Sequence, residues 1–131
     1  MTDKQTELKA RLAAVLADLN QSGRKDTEAM WLLGGFASEL ATRLKAPSWS
    51  AAKARITRST YNTLLDRFRI EGNAHYREGR AKQAYAIQAL AMSLIAPTQD
   101  DAEIVAGGKQ LDTIIDRALL FYRQTKASPA K

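Results

Sequence analysis

His75 is the only imidazole in the chain, and Glu71 precedes it by four residues, so on a helix the two share a face and can pair. A metal ion would need two or more further ligands. There is no second histidine and no cysteine, which removes thiolate metal sites, disulfides and a cysteine nucleophile. His75 therefore reads as a histidine wedged at a helix interface. Asp112 and Asp116 stand at the same spacing, and paired carboxylates do acid–base work when a cleft buries them. They fall on the polar side of an otherwise apolar helix, so the expectation is solvated surface. Gly107-Gly108-Lys109 lacks the preceding strand, the full glycine spacing and the following hydroxyl of a phosphate-binding turn. Many serines face one histidine, and nothing fixes a Ser-His-Asp geometry. These residues point to a non-enzymatic protein with no cofactor and no metal.

Charge is the second chemical signal. The chain of 131 residues carries a net charge of +6. Ten basic residues and only three acidic ones lie between Arg43 and Lys82, so essentially all of the excess sits in that stretch. Within it Arg55, Arg58, Asn62, Asp66, Arg69, Asn73, Arg77 and Arg80 follow one another at steps of three or four. Such a row is a polar, mainly basic helix face. Lys53, Arg55, Arg58, Arg69, Arg77 and Arg80 are the candidates for contact with nucleic acid or an acidic partner, arginine being favoured by its forked donors. A helix-turn-helix over Glu39 to Ile56, with Ala41 at the small position and the turn at Ala46-Pro47, would carry Lys53, Arg55 and Arg58 toward a groove.

Positioning these residues falls to helices. Apolar residues make up 45% of the chain and lean on alanine, with only two valines, which argues against a sheet. A first helix is predicted from Thr6 to Asn20, with Leu8, Leu12, Val15 and Leu19 on one face and Gly23 ending it. A second begins at Asp26 or Thr27, carries the stripe Met30, Leu33, Ala37, Leu40 and Leu44, and stops before Pro47. Gly34-Gly35 inside it points to close approach of a neighbouring backbone, with a hinge or a ligand contact as the alternative. A third helix, capped by Ser48 or Ser50, is expected to run about 28 residues to Gly79, well above the usual length. Its apolar stripe is Ile56, Tyr61, Leu64, Leu65, Phe68, Gly72 and Tyr76, with the basic row opposite. A fourth helix covers Ala81 to Ala96 and closes at Pro97. A fifth starts at Asp100 or Asp101, with Ile104, Gly108, Leu111, Ile115, Ala118 and Tyr122 inside.

Residues Phe68 to Pro97 resemble one tetratricopeptide repeat. The matching residues are Phe68, the run Gly72-Asn73-Ala74-His75-Tyr76-Arg77-Glu78-Gly79, then Ala84, Ala91 and Pro97. Glu71, His75 and Gln88 depart from the leucine, tyrosine and aromatic of that pattern, and Pro97 comes one residue late. The resemblance implies a tight antiparallel hairpin turning at Gly79 and a protein-binding scaffold without catalysis.

The fold expected is all-α, a compact bundle of about five amphipathic helices with a long central helix, formed as a single domain over residues 1–125 with a frayed tail at 126–131. The function expected is binding of a protein partner or self-association through Tyr61, Leu65, Phe68, Gly72 and Tyr76 of the third helix. Nucleic-acid binding through the arginine row is the alternative. No apolar run approaches the roughly 18 residues of a membrane span, and Met1-Thr2-Asp3-Lys4-Gln5 lacks a signal-peptide core, so a cytoplasmic protein is expected.

Overall fold

The computed structural model describes residues 2–25 and 27–127. It is all-α: α1 (Thr2–Lys25), α2 (Thr27–Arg43), α3 (Trp49–Ala54), α4 (Arg58–Arg77), α5 (Ala81–Ile95), a 3-10 turn (Ala96–Thr98) and α6 (Ala102–Ala127). No strand occurs among the described residues, and none of the described helices is long and apolar enough to cross a membrane. Two expected boundaries move: α1 runs on past Gly23, and α6 runs through Lys126. Asp26, offered as the cap of the second helix, and the tail Ser128–Lys131 lie outside the described residues.

The main correction concerns the stretch after Pro47. It is not one helix of about 28 residues but α3 followed by α4. Ser48 caps α3, its Oγ accepting from Ala51 N at 3.1 Å. The chain then leaves helical geometry at Ile56 and Thr57. Thr57 adopts an extended conformation and caps α4, its Oγ accepting from Thr60 N at 3.2 Å. Two good caps, Ser48 and Thr57, each satisfying an orphan amide, outcompete one continuous helix. The apolar rhythm survives the break because Ile56 and Tyr61 still face inward. α4 itself is continuous through Gly72.

The expected hairpin forms. α4 ends at Gly79, whose φ of +79° is a backbone conformation that suits glycine. Gly79 N donates to Tyr76 O at 3.1 Å and Arg80 N to His75 O at 2.8 Å, a Schellman termination that sends α5 back along α4. α5 is the hub: α4, α2, α6 and α1 all pack on it. Leu33, Trp49, Ile87, Leu90, Ile104, Leu111 and Ile115 form the fully buried centre.

The glycine pairs act by absence of a side chain. A Cβ on Gly34 would collide with the carbonyl oxygen of Ala118 and stand 2.8 Å from Tyr122 Cβ, so α2 and α6 touch backbone to backbone. A Cβ on Gly108 would stand 2.5 Å from Ala96 Cβ, and one on Gly107 2.6 Å from Leu12 Cδ2. Both glycine pairs lie inside continuous helices.

Candidate interaction groove

α4 rests mainly on α5 and buries only Leu64 and Phe68 fully. α1 reaches α5 from another side. Between α1 and α4, over the one open stripe of α5, lies a groove of about 500 Å3. Its floor is Leu65, Phe68, Gly72, Ala84 and Ile95. Tyr76, 68% exposed, and Tyr85 stand as its walls. Asn62, Asp66, Arg69 and Asn73 from α4 form one rim, while Arg11 of α1 and Gln88 of α5 add polar groups.

The expectation that the basic row lies opposite the apolar stripe is corrected: on continuous α4, Leu65, Gly72 and Tyr76 stand three or four residues from Asn62, Arg69 and Asn73, so the two sets share one edge of the helix. Leu65, Phe68, Gly72 and Tyr76 of the apolar stripe lie beside Asn62, Asp66, Arg69 and Asn73 of the basic row. The core takes Leu64, Phe68 and half-buried Tyr61, whose hydroxyl donates to Leu94 O at 3.3 Å. Leu65 packs half-buried against the core, Gly72 lies nearest Ile87 of α5, and Tyr76 is the member of the stripe left exposed at the groove. Arg58 precedes Asn62 by four residues and Arg77 follows Asn73 by four, so both extend the rim. Both are exposed, and neither carries an ion pair or side-chain hydrogen bond among the described residues.

The other basic candidates are occupied within the fold. Lys53 is 15% exposed, and its Nζ donates to both oxygens of Asp112 at 2.9 Å and to Ser93 O at 2.8 Å. Arg55 reaches back to the carbonyls of Leu44 and Lys45, just beyond the end of α2. Arg69 pairs with Asp66 at 3.1 Å on the rim. Arg80 pairs with Glu78, and its Nε donates to Nδ1 of half-buried His75 at 2.8 Å. Glu71 pairs with Arg67 at 2.8 Å rather than with His75, and Arg67 is held more basic than usual by that bond. A helix-turn-helix has no reading helix here. α3 is six residues long, with Trp49 and Ala52 fully buried and Lys53 tied down.

Asp112 and Asp116 are corrected as well. α3 lies over them, so they are partly buried rather than solvated. Asp116 Oδ1 accepts from Trp49 N at 2.7 Å, and its Oδ2 accepts from Ser50 Oγ at 2.6 Å. Burial pushes the Asp112 carboxyl above its ordinary range, against the opposing pull of Lys53. Trp49 Nε1 donates to Ser93 Oγ at 3.0 Å, and that hydroxyl donates to Leu90 O at 2.8 Å. Every polar group in the cluster is used to hold α3 against α5 and α6. No group of three or more metal-ligating side chains occurs among the described residues.

Sequence reasoning missed Arg11, Tyr85 and Gln88. The signal for the last two is that they interrupt the alanine-rich α5 at a spacing of three, with Ile95 seven residues further on. Arg11 has no such signal. No family model, no curated protein and no solved structure matches this chain.

Proposed function

We propose that the protein is a non-enzymatic interaction module that binds a protein partner in the groove over α5, between α1 and α4. One observation carries this reading: an apolar floor and an exposed aromatic pair sit beneath a rim whose outer arginines have no internal partner. Interfaces are enriched in tyrosine and arginine around an apolar centre. Basic charge beside exposed rings supports single-stranded nucleic acid as the alternative, because Tyr76 and Tyr85 are open to stacking.

Site-specific photo-crosslinking tests both. A photoreactive residue is placed at Asn73 or Tyr85, or at Lys109 or Thr113 on the exposed side of α6. The expected result is a discrete protein adduct from the groove positions alone, unaffected by nuclease. An adduct that shrinks on nuclease treatment selects the alternative. Equal labelling from α6, or none from the groove, removes the groove as the site.

A further inference from the structure

Resting on the groove reading, we infer that the segment it receives is an acidic amphipathic helix of about four turns from another protein. Shape is the first argument. Past its open first turn, α5 is covered by neighbours except along Tyr85, Gln88 and Ile95, with Ala91 half-buried between them, a single stripe along one side. α1 and α4 flank that stripe without packing substantially on each other. From Asn62 to Tyr76 the α4 wall rises about 21 Å, the length of a helix of about 14 residues. The walls are helix flanks whose backbone groups are already bonded. An extended segment laid there would find no ladder of partners for its own amides and carbonyls, whereas a helix satisfies its own.

Charge selects the kind of helix. Arg69 and, across the groove, Arg11 line it, Arg58 and Arg77 extend the α4 rim, and among the described residues the lining contains one acid, Asp66, which Arg69 already holds. A second copy of the chain presenting its α4 would bring the same arginines into opposition, and like charges across an interface are repelled. A partner with aspartate or glutamate along the flank facing α4, and leucine or phenylalanine at steps of three and four facing the floor, complements both surfaces.

The test is selection of randomised 18-residue peptides on the full-length protein, followed by titration of the enriched peptides. Three variants are compared: Arg58→Glu with Arg77→Glu at the rim, Tyr76→Ala with Tyr85→Ala at the walls, and Lys109→Glu with Arg117→Glu on α6. These side chains are all outside the core, and circular dichroism verifies that each variant is folded. The expected peptides are net acidic, gain helical signal on binding, lose at least tenfold in affinity to both groove variants, and change less than twofold with the α6 variant. Enriched peptides that are neutral or basic, or that bind without becoming helical, yet still depend on the tyrosines, overturn this inference and leave the groove reading standing. Peptides indifferent to the tyrosines, or no enrichment at all, overturn both. A 12-nucleotide single strand that displaces every enriched peptide from the groove transfers the site to nucleic acid.

Discussion

The two most extensive helix contacts, α2 against α6 and α4 against α5, are packed on opposite principles. At the α2–α6 seam a glycine lets one backbone touch the other, the Trp31 and Tyr122 rings meet at 5.0 Å, and Arg123 bridges Ser38 Oγ and Pro47 O. α4 meets α5 through ordinary side-chain contact, the closest approach to a Cβ on Gly72 being Ile87 Cγ2 at 3.7 Å. Its ion pairs, Arg67–Glu71 and Arg69–Asp66, lie within α4. Among the described residues its one side-chain hydrogen bond to another helix is from Tyr61. A closed seam spends its surface on the fold, whereas an edge helix keeps surface that can serve a partner. Gly34→Ala tests the closed side and carries the largest effect expected here. The new methyl can be accommodated only by moving α2 off α6, at a cost of about 3 kcal/mol. Denaturant melting measures it, and a loss under about 1 kcal/mol would show the seam to be looser than its geometry.

Lys53 and Asp112 come next. They are a cross-link between α3 and α6, and most of both side chains is shielded. Lys53→Ala leaves Asp112 partly buried without its cation and Ser93 O without its donor, an expected loss of about 2 kcal/mol once the remaining solvent access is allowed for. The loss depends on pH with a definite sign. The folded Asp112 pKa is raised by burial, so the folded state holds this proton more tightly than the unfolded chain. Its contribution to stability therefore falls as pH rises from the ordinary aspartate value through the folded one. Without Lys53 the folded value rises further. The gap between the native protein and Lys53→Ala should widen from pH 4 toward neutrality, as parallel melts would show. A gap constant with pH would mean that lost packing, not charge, sets it.

That cross-link also marks where the sequence stops being legible. Helical class, the α4–α5 hairpin and the close-packing glycines are written in short-range pattern: Gly79 before Ala81, and the spacing of Met30, Leu33 and Ala37. The partner of Lys53 is 59 residues away, and nothing near Asp112 announces that Trp49 will bring α3 over it. The α3–α4 break is hidden because Thr57 interrupts the backbone without upsetting the phase of Ile56 and Tyr61. Tyr76 teaches the same lesson about the groove. Periodicity gives its angle around the helix but not how far a neighbouring helix reaches, and α1 and α5 leave it open. The basic row was legible as charge. Which members the fold would neutralise was not, because that depends on tertiary partners.

One helix end and one helix interior give smaller effects of opposite origin. Ala46 N donates to Ala41 O at 2.8 Å and Lys45 N to Thr42 O at 3.1 Å, so α2 terminates as α4 does, yet the left-handed position holds Lys45 at φ 55° instead of a glycine. Lys45→Gly should relieve the side-chain clash of that conformation and stabilise by about 1 kcal/mol. Gly72→Ala should gain a similar amount, about 0.8 kcal/mol, from helix propensity, because its methyl meets only ordinary contact. The sign is what matters: alanine at Gly34 and alanine at Gly72 are expected to move the midpoint in opposite directions. A loss at Gly72 comparable to that at Gly34 would mean that the α4–α5 contact is as closed as the α2–α6 seam.

The smallest stability change belongs to the residues with the largest proposed role. Arg58 and Arg77 are exposed and hold nothing within the fold, so replacing both by alanine should alter stability by no more than about 0.5 kcal/mol. Lys53, from the same basic stretch, is expected to cost about four times as much, so the two measurements separate cations spent on folding from cations left for binding. Hydrogen exchange adds the spatial detail: the amides of α4 should retain native protection in Arg58→Ala with Arg77→Ala, whereas those of α3 should lose it in Lys53→Ala. If the rim variant instead unfolds α4 locally, those arginines are structural, and the basic row loses its claim to a partner.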